Sequence, residues 1–255
     1  MQKIPVIQTI KHALNAVFHF RNAGIAIGLP WMLVLAGVRA VEFFFFSNTA
    51  PAEGDPAQAI IFHPADFIIA AFSMVVFSSI AVNWHRYILL DEVTASGKYF
   101  RLDRPVWNYA GRTLLIMMIA LIPVLLLGAM LLSAFPSAGL LLAFPFFMAG
   151  IYIMRMSVAL PAAALERKDF GIGAALQITR GNNLQFAGLL ALNALIFFIT
   201  FLALAVVLSI SGSFGTIIGR VFAFALIVPV NLFLSLFSVS LLSSLYGFFV
   251  EQRKF

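Results

Sequence analysis

Long apolar runs separated by short polar stretches dominate the pattern of this chain. The runs cover roughly residues 24–46, 64–90, 109–134, 138–165, 184–210 and 215–249. At about 1.5 Å per residue, each is long enough as a helix to cross a hydrocarbon core of about 30 Å. The expected fold class is therefore all-α, an integral membrane bundle of six transmembrane helices in a single domain. Ahead of it, residues 5–20 place Ile7, Ile10, Leu14, Val17 and Phe18 at helical spacing, with Lys11, His12, Asn15 and His19 largely elsewhere. That pattern predicts an amphipathic helix within residues 1–22, lying in the membrane interface with its apolar face toward the acyl chains.

Punctuation within the runs refines the picture. Gly24 and Gly28 form a small-xxx-small pair that lets another helix approach closely. Ser47–His63, with its two prolines and Gly54, reads as an irregular loop, and Pro64 opens the second span at a first helical turn. Pro105-Val106-Trp107 looks like the start of a short surface helix, and Pro136-Ser137 and Ser211-Gly212-Ser213 look like tight turns. Pro123, Pro145, Pro161 and Pro229 interrupt later spans and free backbone carbonyls.

Two polar elbows join pairs of spans, Trp84–Arg112 and Arg155–Asn183. Arg86 and Glu92 before Arg112 correspond loosely to Arg155 and Glu166 before Arg180. The spacings differ, so a parallel internal duplication is one reading and coincidence the other.

Charge sets the orientation. Of 16 Lys and Arg residues, all but Arg39 and Arg220 fall in the N-terminal segment, the two elbows with their flanks, or the tail. The positive-inside rule then places both termini and both elbows in the cytoplasm. The first span is expected to act as the insertion signal, because no short apolar core with a small-residue cleavage site precedes it. A net charge of +6 would also fit nucleic acid, but the basic residues sit beside apolar runs and no basic-aromatic surface or motif accompanies them. With 62% hydrophobic and 10% charged residues, and a mean hydropathy of +1.03, the chain lies far from soluble composition.

Candidate chemistry is sparse. There is no cysteine, so disulfides, thiolate metal sites and thiol catalysis are excluded. No HExxH, GxSxG, P-loop or GxGxxG stands in a suitable context, and no histidine has an evident acid-base partner. The expectation is a protein without catalytic, cofactor or metal site.

Two constellations remain. Arg39 lies roughly 22 Å along an outward-going helix, and Arg220 about 8 Å into an inward-going one, which puts them at similar depth; Glu42 and Asp66 fall slightly farther out. Charges inside a membrane tend to pair or face water. The four either form a neutral cluster lining an outward pocket, or act as interfacial anchors and local pairs, such as Arg39 with Glu42 at i, i+3. In the elbows, Glu92 and Glu166 can bridge Arg86, Arg112, Arg155 or Arg180. Alternatively these groups form a solvated rim over anionic lipid headgroups, where guanidinium forks suit phosphate. Asn193, Asn231, Ser235, Ser238, Ser243 and Ser244, with Gly215 and Gly219, are expected to form a hydrogen-bonded interhelical seam.

Arg155, Pro161-Ala162, Glu166, Gly171, Ala174-Ala175-Leu176 and Thr179-Arg180-Gly181-Asn182 resemble a segment of a bacterial polytopic family. That family includes YciC-like envelope proteins and the membrane domain attached to some glycerophosphodiester phosphodiesterases. The resemblance implies a six-helix inner-membrane protein connected with envelope or lipid homeostasis. The hydrolase activity is not implied, because the elbows are too short to hold such a domain. The leading functional expectation is a non-enzymatic inner-membrane protein engaging membrane lipids or a membrane-protein partner. The alternative is a small-solute or lipid transporter using the outward polar cluster.

Overall fold

The computed structural model describes residues 3–46, 64–92, 99–211 and 216–253. Among these residues the regular structure is helical and contains no strand. The elements are α1 (Val6–His19), α2 (Arg21–Phe46), α3 (Pro64–Leu90), α4 (Arg104–Ala134), α5 (Ala143–Ser157), α6 (Leu160–Ala164), α7 (Ile172–Ile178), α8 (Asn183–Ser211) and α9 (Thr216–Phe249). Among the described residues six segments are long and apolar enough to cross a membrane: α2, α3, α4, the 3₁₀–α5–α6 run, α8 and α9. The protein is an all-α, multi-pass membrane bundle.

Successive spans pack as neighbours from α2 through α3, α4 and α5 to α8 and α9, and α9 closes back onto α2 and α3. This leaves α3 and α9 as the central pair. Trp84, Phe186, Phe237 and Tyr246 are fully buried around them. The Gly24–Gly28 stripe does admit a neighbour, and the neighbour is α9. A Cβ at Gly24 would lie 2.7 Å from Leu236 Cδ1, and one at Gly28 would collide with Leu232 Cδ1.

Two expectations change. Pro105-Val106-Trp107 belongs to the first turns of α4, not to a separate surface helix. Asp103 holds extended backbone at the N-cap and Pro105 needs no hydrogen-bond partner there, so the span starts at once. The fourth span is not one helix. A 3₁₀ turn over Pro136–Leu142 leads into α5, which ends at Ser157, and a separate short helix, α6, follows. Pro161 lacks the N–H that would bond the Ser157 carbonyl, and the chain bends at that point. Pro30, Pro123 and Pro229 lie inside continuous helices.

Helix α1 keeps its predicted place in the chain, but part of its apolar face is spent on protein. Thr9, Ile10, Ala13 and Val17 are buried, and α9 is the element that α1 packs against most. Ile7 and Phe18 stay 65% and 60% exposed. Small residues at Thr9 and Ala13 let α1 sit close to α9, so burial against protein replaces burial against lipid on that side. The loop Ser47–His63 and the turn at Gly212-Ser213 lie outside the described residues.

Candidate functional site

Helix α9 carries polar side chains on two edges. On one, Ser240, Ser243 and Ser244 are buried and meet rings from two other helices. The Trp84 indole N–H donates to Ser240 Oγ at 2.8 Å. His85 Nδ1 and Ser243 Oγ are hydrogen-bonded at 2.8 Å, as are His12 Nδ1 and Ser244 Oγ. These bonds tie α3 and α1 to α9, the role expected of a polar seam in a medium without water. Burial, helped by the nearby Arg253 charge, lowers the pKa of His12.

The other edge behaves differently. Asn231, Ser235 and Ser238 recur at i, i+4 and i+7, so they share one face of α9. They line an intrabundle cavity of about 460 Å³, together with Met74, Phe77, Ser78 and Ala81 of α3, Tyr109 and Thr113 of α4, Leu160 of α6, and Phe197 and Phe201 of α8. The cavity exists because α4 and α8 do not pack closely on each other, so α3 and α9 form its back wall. Each polar side chain first satisfies itself along its own helix. Asn231 Nδ2 donates to the Ile227 carbonyl (3.0 Å), Ser235 to Asn231 (2.7 Å), Ser238 to Leu234 (2.9 Å) and Thr113 to Tyr109 (2.9 Å). The hydroxyl hydrogens are therefore used, and the hydroxyl oxygens remain as weak acceptors on a largely apolar wall. Phe77 and Phe201 are 38% and 47% exposed, which leaves the cavity open where they stand. Such a volume and lining are typical of a site for an apolar ligand.

A second cavity of about 350 Å³ lies next to it, lined by Met32, Leu35, Ala36 and Arg39 of α2, Ser73 and Phe77 of α3, and Ile227, Val228 and Asn231 of α9. Phe77 and Asn231 belong to both cavities. Arg39 is 18 residues, or about 27 Å, from the start of α2, so this chamber sits toward the end of the bundle opposite the chain termini. Asp66 is exposed near the start of α3. The side chains of Glu42 and Arg220 lie outside the described residues. Of the expected intramembrane cluster, Arg39 lines this second cavity.

The elbow arginines turn inward. Arg155, 6% exposed, donates from Nε to Thr179 Oγ1 (3.1 Å), from Nη1 to Asn183 Oδ1 (2.9 Å) and from Nη2 to the Leu176 carbonyl (2.8 Å). One guanidinium fork thus fixes α7 and the first residue of α8 to the end of α5. Arg112 Nη1 reaches the carbonyls of Ala159 (3.2 Å) and Phe170 (3.0 Å), and Arg86 Nη1 reaches that of Ala164 (3.2 Å). Arginines from α3 and α4 thus hold carbonyls at the break after α5, at the end of α6 and ahead of α7. Arg86 also pairs with Glu92 at 2.6 Å and lies 3.6 Å from Glu166, and Arg101 lies 3.6 Å from Glu92. The Arg86 hydrogen bond holds the Glu92 carboxyl below the usual range, despite an opposing effect of burial. Arg180 is exposed.

The same elbow also receives the N-terminus. Lys3 Nζ donates to the Gly181 carbonyl (2.6 Å) and the Ile4 N–H to Asn182 Oδ1 (3.2 Å). Gly181 adopts φ +82°, a conformation that side chains other than glycine resist. Thr179-Arg180-Gly181-Asn182 is thus a junction where α1, α5, α7 and α8 meet. The sequence gives no direct sign of a further contact at Tyr99. Its carbonyl accepts from Trp31 Nε1 (3.0 Å) and Asn83 Nδ2 (3.3 Å), so the first elbow dips between α2 and α3.

Among the described residues no group of three or more His, Asp or Glu could hold a metal ion. Compared with protein-family models, with curated proteins and with solved structures, the chain matches none.

Proposed function

We propose that this chain is a non-enzymatic membrane protein that engages lipid, taking an acyl chain into the cavity between α3, α4, α8 and α9. The observation that carries the reading is that cavity: about 460 Å³, apolar in most of its lining, dotted with hydroxyls already satisfied within their helices, and open beside Phe77 and Phe201. From Asn231 to Leu242 it follows about 16 Å of α9, an elongated shape suited to a chain. The elbows support a lipid-binding role for the cavity over one for the cytoplasmic rim. Arg86, Arg112 and Arg155 direct their donors to protein carbonyls and side-chain oxygens, and Arg180 remains an exposed contact for anionic headgroups or a membrane-protein partner.

The proposal extends to setting. The concentration of basic residues at the end carrying both termini and both elbows supports a cytoplasmic location for that end, and a bacterial inner membrane for the whole. The resemblance to YciC-like envelope proteins supports the same setting and a role in envelope homeostasis.

Native mass spectrometry of the intact protein released from mild detergent tests the reading. The wild-type protein is expected to retain an acyl-chain compound at one per chain. Ser235→Phe with Ser238→Phe fills the cavity from α9 and should reduce that occupancy at least several-fold while the bundle stays folded. Equal retention by the folded double variant would remove the cavity from consideration.

A further inference from the structure

One serine on the wall of the larger cavity is an exception to the pattern of its neighbours. Ser235, Ser238 and Thr113 each donate to the carbonyl four residues earlier in their own helix, and Tyr109 Oη is paired with His85 Nε2 at 3.4 Å. Ser78 lines the same cavity and is 3% exposed, yet among the described residues its hydroxyl makes no hydrogen bond. We propose that this hydroxyl is the polar contact of the bound molecule, and that the molecule is an uncharged lipid whose own polar group is a hydroxyl. This rests on the cavity reading and adds the ligand's class and the residue that selects it.

A hydroxyl withdrawn from water and left unpaired costs more than a hydrogen bond contributes. A serine in a membrane helix ordinarily avoids that cost by bonding back along the helix, as Ser73 does on α3, 2.7 Å from the Ile69 carbonyl. Ser78 leaves this route unused. It therefore keeps one donor and its oxygen lone pairs for whatever stands in the cavity.

The packing of α3 on α9 places matching groups beside it. Ile80 and Leu232 both reach Gly28 of α2, and Trp84 meets Ser240. Ser78 thus stands level with the turn of α9 from Asn231 to Ser235. Asn231 spends one amide hydrogen on Ile227 and keeps the other, while Ser235 keeps oxygen lone pairs only. At this level the wall offers both donors and acceptors. A hydroxyl answers both, an ether oxygen accepts only, and an alkane does neither.

Charge narrows the class further. Among the described residues that line this cavity none is charged. A phosphate, carboxylate or ammonium drawn to Ser78 would lose its water without gaining a counter-charge. Apolar residues flank the level on both sides, Met74 one turn earlier on α3 and Leu242 two turns after Ser235 on α9, and they suit the hydrocarbon part of the molecule.

Site-resolved competition on the full chain in nanodiscs of zwitterionic lipid tests this. The label is a tritiated dodecanol with a mid-chain diazirine, and crosslinks are counted at the peptide holding Thr113. Dodecanol, its methyl ether, dodecane, dodecanoate and dodecylammonium compete, compared at equal mole fraction in the membrane. Dodecanol is expected to halve labelling of the unaltered protein at a mole fraction about fivefold lower than the ether or dodecane, the scale of one neutral hydrogen bond. The charged competitors should do no better than dodecane. Ser78→Ala should bring dodecanol down to the ether while leaving dodecane within about twofold, and Ser78→Thr, which keeps a hydroxyl, should retain the preference. Without added alcohol, Ser78→Ala should not lower the unfolding midpoint, because no bond within the protein is lost.

Equal competition by dodecanol and its ether in the unaltered protein, or a preference that survives Ser78→Ala, overturns the assignment. Stronger competition by dodecanoate or dodecylammonium means a charged head and overturns it too. A clear fall in the midpoint of Ser78→Ala without alcohol means that the serine serves the fold, with the same consequence. If Ser235→Phe with Ser238→Phe leaves labelling at Thr113 unchanged, the underlying cavity reading fails as well. If that pair abolishes labelling but dodecanol holds no advantage over the ether, only the present inference falls.

Discussion

Replacing Arg155 with alanine is expected to lower the apparent unfolding midpoint in detergent by about 10 °C, from a loss of about 3 kcal/mol or more. Arg155 is 6% exposed and makes three hydrogen bonds, to Thr179, Asn183 and Leu176. Its removal takes the donor from all three oxygens and leaves the buried Thr179 hydroxyl facing a gap, and an unmet buried acceptor costs more than the bond itself contributed. The effect should be local before it is global, because α7 is only seven residues long and its hold on α5 passes through this fork. Limited proteolysis should therefore cut the Arg155→Ala protein between Arg167 and Gly181 under conditions that leave the wild type intact. Arg155→Lys should recover little, since an ammonium cannot span three acceptors set for a planar fork. A wild-type midpoint and cleavage pattern for Arg155→Ala would show that the fork does not organise the elbow.

The second large effect is expected at Gly28. Isoleucine there should cost about 1–3 kcal/mol by overpacking, because its Cβ would collide with Leu232, itself 6% exposed and buried between helices. Alanine is expected to cost much less, since the colliding atom is the tip of a leucine that can change rotamer. The same series at Gly37, where no heavy atom lies within 4 Å of a built Cβ, should be nearly silent. Thermal unfolding of the four variants checks this. Equal effects at both glycines would mean that helix propensity, and not α2–α9 packing, governs the response.

Much of this arrangement can be read in the chain, and the parts that cannot share a cause. Apolar run length is a local property, so the spans fall close to where the runs do, and Gly24 and Gly28 mark a close approach because only small residues allow one. The sequence does not show which helix approaches. The break after Ser157 depends on Pro161, but Pro30, Pro123 and Pro229 stay inside intact helices. Around Pro161, Arg112 and Arg86 arrive from α4 and α3 to hold the carbonyls of Ala159 and Ala164, contacts that depend on tertiary neighbours.

The serines of α9 make the same point. Asn231, Ser235, Ser238, Ser243 and Ser244 read as one seam, yet Ser243 and Ser244 meet His85 and His12 while the first three line a cavity. A shift of a few residues around the helix decides which neighbour lies opposite. Ser240 could have been found from Trp84, since a buried indole N–H needs an acceptor in a span. The carbonyl of Tyr99 carries no sequence signal of its own.

The central claim is that the space between α3, α4, α8 and α9 holds an acyl chain. Photo-crosslinking tests it most directly, using a lipid whose diazirine lies midway along the chain, in native membranes, with labelled residues located by peptide mass spectrometry. The account predicts labels concentrated at Met74, Thr113, Phe201 and Ser238, which line the cavity, and their loss in Ser235→Phe with Ser238→Phe. Labels confined to lipid-facing positions such as Leu126 and Met130, unchanged in that variant, would contradict it.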